Sequence, residues 1–162
     1  MPSPSRAARH LAGRMLLATT TFATAAGAWL MAAPRPAAAD PVSEASAIVY
    51  DINAIRAWFH LPGLAMNPAL SNFAVAHSEQ MAAARTVFHS SSLWSVAAVV
   101  PGWSAVGENV GMGPNEPAVA YALARSITHL RNMLGAYDKV GVGVVDSGGW
   151  VYVTEEFAQA PG

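Results

Sequence analysis

The chain has 162 residues, 53% hydrophobic and only 12% charged, a balance opposite to that of a disordered protein. It contains no cysteine, which excludes a disulfide framework, a thiolate zinc site, an iron–sulfur cluster, a catalytic thiol and thiol redox chemistry. Four arginines (Arg6, Arg9, Arg14, Arg35) precede the first acid, Asp40; from there on ten acids face five bases, a formal charge of −5. A weakly acidic body without clustered Lys or Arg argues against nucleic acid as a partner.

The N-terminal arginines open an n-region that is followed by an uncharged apolar run over 15–33 and by Ala37-Ala38-Ala39. This is the pattern of a secretory signal peptide over 1–39, cut after Ala39, and it leaves 40–162 as one domain. The run is rich in Ala, Thr and Gly, so it is only weakly hydrophobic. An uncleaved N-terminus is the one expected route to a membrane. The lack of an Arg-Arg pair points to the general secretory route. The expected location is secreted or in the extracytoplasmic cell envelope. A domain of this size buries about two thirds of its unfolded surface and needs no staples.

In chain order, a first helix is expected over 43–59, where Ile48, Ile52, Ile55 and Phe59 form one apolar stripe. His60-Leu61-Pro62-Gly63 stops it, with His60 placed to interact with the helix dipole. Asn67 and Pro68 are a good N-cap and first residue for a second helix ending near Arg85. Its stripe is Leu70, Phe73, Ala74, His77 and Met81, which makes His77 a core histidine with a hydrogen bond. Residues 86–104 read as an irregular loop in which Trp94 and Trp103 cover the core edge or form a binding rim. A short strand over 104–110 is closed by Gly111-Met112-Gly113-Pro114. A third helix begins near Pro117, with Val119, Leu123, Ile127 and Leu130 as its stripe, and a turn carrying His129 and Asn132 continues or follows it. Strands over 140–145 and 150–157 are joined by Asp146-Ser147-Gly148-Gly149 as a hairpin. Gly141 and Gly143 are expected to permit close packing within the sheet. No internal repeat divides the domain. The fold class is α+β, an α/β/α sandwich with a small antiparallel sheet between helices.

Glu108 stands inside an apolar strand, in Gly107-Glu108-Asn109. An unpaired carboxylate buried there costs several kcal/mol. Histidine or a cation is the natural partner, and His89 and His129 lie on loops or helix ends on either side in sequence. Two imidazoles and a carboxylate can ligate Zn²⁺ or another divalent cation with a position left for water. The same groups can act as acid and base without metal. Spacing alone does not separate these, since no His-Glu-x-x-His motif occurs. Asn109 is expected to orient Glu108 or a neighbouring turn, and Asn132 to fix a turn through backbone hydrogen bonds.

Phe88-His89-Ser90, Gly107-Glu108-Asn109-Val110, His129-x-x-Asn132-x-Leu134 and Val140-Gly141-Val142-Gly143, in this order, resemble the cysteine-rich secretory protein, antigen 5 and pathogenesis-related superfamily (the CAP or SCP domain), and in particular its small bacterial secreted branch. Upstream, Asn53-x-x-Arg56 and Leu64-x-x-Asn67-Pro68-x-Leu70 fit as well, so the resemblance covers about 45–158. It implies an α/β/α sandwich with a cleft lined by two His and two Glu, a tetrad that binds a divalent cation, often zinc, in some members. His89, Glu108 and His129 match three of the four. The second Glu has no clean match: the stretch 121–126 upstream of His129 holds no acid, and Leu123-Ala124-Arg125-Ser126-Ile127-Thr128-His129 departs from the Trp-x-x-Ser-Pro-Gly-His frequent in bacterial members. Glu155 and Glu156 are the alternative source. As neighbours on a strand they face opposite sides, one toward the cleft and one expected at a solvated strand end.

The expected function is a secreted CAP-domain binding protein whose cleft takes a divalent metal, a small polar ligand or an apolar one, since several relatives are linked with sterol or lipid. The partner is such a ligand or an envelope component, and the reading leans away from an enzyme. One alternative is a hydrolase with His89 or His129 as base and Glu108 orienting it. Ser90 and Ser91 lack the Gly-x-Ser-x-Gly elbow of a serine hydrolase. The other alternative is a structural interaction module in which the His/Glu cluster holds the loops together. No dinucleotide or phosphate-loop motif is present.

Overall fold

The computed structural model describes residues 41–91 and 100–160; the expected signal peptide and Trp94 lie outside the described residues. The elements are α1 (Pro41–Trp58), β1 (Ala65–Met66), α2 (Pro68–Ala84), β2 (Ala105–Gly113), α3 (Glu116–Arg125), α4 (Ile127–Met133), β3 (Lys139–Ser147) and β4 (Trp150–Gln159). Among the described residues no helix is long and apolar enough to cross a membrane.

The four strands form one sheet in the order β1-β3-β4-β2. The pairs β3–β4 and β4–β2 are antiparallel, as expected. The two-residue β1, which the sequence does not announce, adds in parallel to β3 and makes the sheet mixed. The β3–β4 hairpin closes through Gly148 and Gly149, both at positive φ (62° and 80°), the backbone that a two-residue hairpin turn requires.

Helix α2 covers one face of the sheet, and α1, α3 and α4 cover the other. The α2 boundaries follow the sequence closely. Asn67 Oδ1 accepts from the Leu70 N–H at 3.0 Å, and Arg85 ends the helix in the left-handed region at φ 53°. The buried residues Leu70, Ala74, His77 and Met81 sit on its inner face with Ser78. Gly141 and Gly143 serve the contact between β3 and α2, not packing within the sheet: a Cβ on either would stand 2.3 Å from the carbonyl carbon of Leu70 or Ala74. The helix backbone therefore rests directly on the sheet.

Two apolar stripes end sooner than expected. Ile48 and Ile52 are buried, but Phe59 lies beyond α1 and is half exposed. The helix has already closed there through His60 at φ 57°, with Leu61 N–H donating to Arg56 O at 2.9 Å. Likewise Val119 and Leu123 are buried while Ile127 is exposed, because Ser126, at ψ 122°, breaks the helix and starts α4 with a new phase.

Asn53 and Arg56, one turn apart on α1, hold the loops below it. Asn53 Nδ2 donates to Leu64 O at 3.1 Å, and its Oδ1 accepts from Leu64 N–H at 2.7 Å. Arg56 is buried, and its guanidinium donates to four carbonyls: Pro62 O at 2.8 Å, Met133 O and Gly135 O at 2.9 Å, and Tyr137 O at 3.3 Å. Burial lowers its pKa from the ordinary value. The guanidinium thus ties the exit of α1 to the exit of α4, and so fixes where α4 lies.

Replacing Gly143 with alanine places a methyl group against α2 backbone, which cannot rotate away as a side chain would. The expected loss is about 3 kcal/mol of unfolding free energy, read from urea denaturation; a loss below about 0.5 kcal/mol, the range of a neutral surface change, would show that α2 is not seated on the glycines.

Candidate functional site

Strand β2 is an edge of the sheet, and Glu108 and Asn109 point to its two faces. Opposite them in register on β4 stand Glu156 and Glu155. The backbone of Glu108 turns outward, since its carbonyl accepts from Asn132 Nδ2 at 2.9 Å, as that of Val106 does from Tyr137 Oη at 3.3 Å. Glu108 and Glu156 therefore form a non-hydrogen-bonded pair, the arrangement that brings cross-strand side chains closest.

On the α2 face, Glu108 is buried and heavily bonded. His89 Nδ1 lies 2.6 Å from Oε1, the Ser90 N–H donates to Oε1 at 3.0 Å and Oε2 at 3.3 Å, and the Ser90 hydroxyl donates to Oε2. His77 is buried as expected. Its Nε2 lies 2.9 Å from Phe88 O and 3.8 Å from Glu108 Oε2, so it supports the segment that carries His89. Burial raises the Glu108 pKa, but the bonds from Ser90, Glu156 and His89 outweigh it and hold the carboxyl below its ordinary value.

Glu156 has no solvent exposure, and neither of its oxygens has a partner while both carboxyls are ionised. Burial and the adjacent Glu108 charge push its pKa up to about 9. Neutral at physiological pH, it can donate its proton to Glu108. On the other face Glu155, also fully buried, accepts from Asn109 Nδ2 at 2.8 Å through Oε2, and burial pushes it up to about 7 despite that bond. Neither residue is the solvated strand-end charge expected for one of them.

The second imidazole comes from α4. Asn109 Nδ2 donates to the His129 carbonyl at 3.1 Å, and Asn132 Nδ2 donates to Asn109 Oδ1 at 2.8 Å. Asn132 therefore docks α4 onto β2 and does not serve a local turn, while Asn109 serves Glu155 and His129 and does not orient Glu108. His129 Nδ1 is buried without a hydrogen-bond partner. Burial, then the charge of His89, lower the His129 pKa. The His89 side chain is 64% exposed, and with Nδ1 held by Glu108 its Nε2 is left for a ligand. Trp103 packs at a core edge beside Leu70 and Ala158.

The structure thus brings the His89 ring onto Glu108 and the His129 main chain onto Asn109, its neighbour on β2. The three carboxyls are otherwise committed: Glu108 is wrapped by its donors, and Glu155 and Glu156 are buried. Among the described residues no three His, Asp or Glu side chains are grouped to hold a metal ion. What sequence reasoning missed is Ser90 as a double donor to Glu108, Arg56 as a clamp, and Glu156 as the direct neighbour of Glu108. The argument that singled out Glu108, an acid in an apolar strand, applies equally to Glu155-Glu156 and was the available signal.

The raised carboxyls dictate a pH dependence. A buried group whose folded pKa exceeds its unfolded value favours folding below the unfolded pKa and loses that contribution as pH climbs to the folded pKa. For Glu156 that window runs from the ordinary carboxylate range up to about 9. Glu156→Gln, which keeps a donor and cannot ionise, should gain on the wild type by roughly 1 kcal/mol per pH unit across that window. Chemical denaturation at a series of pH values reads this; parallel stability curves would refute the neutral Glu156.

A family model described as the Cysteine-rich secretory protein family matches residues 49–157. No curated protein gives a match. Among solved structures, an extracellular protein containing a SCP domain from Bacillus anthracis is 24% identical, with a TM-score of 0.63 over 74% of this chain and 41% of its own. A cysteine-rich secretory protein from Staphylococcus aureus is 21% identical, with a TM-score of 0.63 over 78% of this chain and 41% of its own. An outer surface protein from Borrelia burgdorferi is 16% identical, with a TM-score of 0.65 over 72% of this chain and 92% of its own. This chain spans about two fifths of the Bacillus and Staphylococcus proteins. At such identities the likeness is one of fold, and it agrees with the helix-covered sheet described above. The family match extends over well over half of the sequence and takes in the segments that carry His89, Glu108 and His129. The chain belongs to the cysteine-rich secretory protein (CAP) family, and does so without a single cysteine.

Proposed function

We propose that this chain is an extracellular, non-enzymatic CAP-domain binding module whose cleft takes a divalent cation or a small polar ligand on His89 and His129. The supporting observation is the 2.6 Å contact between Glu108 Oε1 and His89 Nδ1. A carboxylate at one ring nitrogen fixes the tautomer and makes the other nitrogen a better ligand. Because the carboxyls are occupied within the protein, a cation here takes its protein ligands from the two imidazoles and the rest from water or from the ligand. The extracellular location rests on the N-terminal sequence pattern, and the extracellular and outer-surface relatives are in keeping with it.

One observation favours a second reading. A carboxylate on imidazole Nδ1 is also how a general base is oriented, which would make His89 the base of a hydrolase. The Ser90 hydroxyl is engaged with Glu108 and not with an imidazole, so the base would act on water and not on a serine nucleophile.

Calorimetric titration of the purified protein with Zn²⁺, at about pH 7.5 and about pH 5.5, tests the binding reading, since imidazole ligands must be neutral. The expected result is micromolar binding at the higher pH, weaker at the lower, and abolished in both His89→Ala and His129→Ala. Folded variants that bind as the wild type does would remove the two imidazoles from the site. Turnover of ester or peptide substrates that His89→Ala abolishes would establish the hydrolase instead.

A further inference from the structure

Glu155 and Glu156 have no exposed surface, so neither can touch a ligand, and yet each leads to one of the two histidines, one at its ring and one at its main chain. On β2 and β4 four polar residues form a block two by two: Glu108 opposite Glu156, Asn109 opposite Glu155. Alternation along each strand sends one pair to the α2 face and the other to the face covered by α4. On the first face Glu156 adjoins Glu108, whose Oε1 holds His89 Nδ1 at 2.6 Å. On the second, Glu155 Oε2 accepts from the Asn109 amide at 2.8 Å, and the same amide donates to the His129 carbonyl at 3.1 Å. The amide cannot be turned round, because its oxygen already accepts from Asn132 at 2.8 Å.

We propose that the adjacent carboxyls Glu155 and Glu156 are positioning residues, one for each imidazole: Glu156 sets His89 through Glu108, and Glu155 sets His129 through Asn109. Two buried carboxyls side by side in an apolar strand are costly to fold around, and a structural role alone would be met more cheaply by apolar residues. Glu156 stands directly opposite Glu108 on the same face of the strand pair and backs the carboxyl that holds His89 Nδ1 at 2.6 Å. Glu155 locks the Asn109 amide, and Asn109 locks the His129 main chain. Glu155 Oε1 and His129 Nδ1 are both buried without a hydrogen-bond partner, and the link between the two residues ends on the His129 carbonyl. Because the two arms run on opposite faces, each carboxyl acts on its own ring. This rests on the reading of His89 and His129 as the ligand-bearing pair.

Long-range ¹H–¹⁵N spectra of the histidine rings in the full chain, without ligand, test it. Glu156→Met removes the polar side chain that stands opposite Glu108, and Glu155→Met removes the acceptor for Asn109. The expected result is that Glu156→Met shifts the His89 ring nitrogens and leaves His129, Glu155→Met does the reverse, and Glu155→Gln and Glu156→Gln restore the wild-type signals. Asn109→Ala cuts only the second arm and should disturb His129 alone, which keeps the test open should a Met variant fail to fold. Zn²⁺ affinity should fall about tenfold or more in the Met variants, as for other lost supports of a ligand. Ring signals unchanged in folded Met variants, or both rings moving equally in each, would overturn the proposal. The ring spectra need no ligand, so failure of Zn²⁺ to bind the wild type would sink the binding reading and leave this test standing.

Discussion

Glu108 is ionised, almost wholly buried and carried on an edge strand, so its donors must come from the chain and not from water. That requirement organises the site. Ser90 supplies a hydroxyl and a main-chain N–H, His89 supplies Nδ1, and Glu156 stays neutral beside it. The segment after α2 is thereby stitched to β2, and an exposed imidazole is held at a defined place. Removing the carboxylate would leave several donors buried without an acceptor, a greater loss than one hydrogen bond.

The other imidazole depends on Arg56. With no exposed surface to speak of, its guanidinium fills four carbonyl sites that would otherwise be left unsatisfied, one on the last residue of α4 and two just after it. Asn132 then pins α4 to β2. His129 is brought to the edge of the sheet by a chain of polar contacts that begins on α1. The core beneath is apolar and tightly seated, with α2 backbone resting on Gly141 and Gly143. The protein forgoes disulfides and gains its definition from these buried polar ties.

Much of this was legible in the residues. The α2 boundaries, the hairpin glycines, the core histidine His77 and the choice of Glu108 as the unusual acid all follow from local chemistry: an Asn-Pro start, positive-φ turn positions, a 3.6-residue stripe, a charge among valines. Other features depend on distance in the chain and were not legible. The break at Ser126, the two-residue β1 and the role of Asn132 are settled by what packs against them. Glu155 and Glu156 illustrate the limit. Their alternation was plain, yet which face met Glu108 depended on the β2–β4 register, and that both faces were covered depended on α2 and α4 together.

The sequence by itself determined the α+β class, the helix and strand composition, the family, and the choice of Glu108 with the two histidines on either side of its strand, because periodicity, caps, turn residues and ordered motifs are properties of neighbouring residues. Only the tertiary structure decided what those residues do to each other. The pairing of Glu108 with Glu156, the protonation that pairing demands, and the burial of every carboxyl at the site arise from desolvation and cross-strand distance, which exist only once the sheet is assembled and its faces are covered.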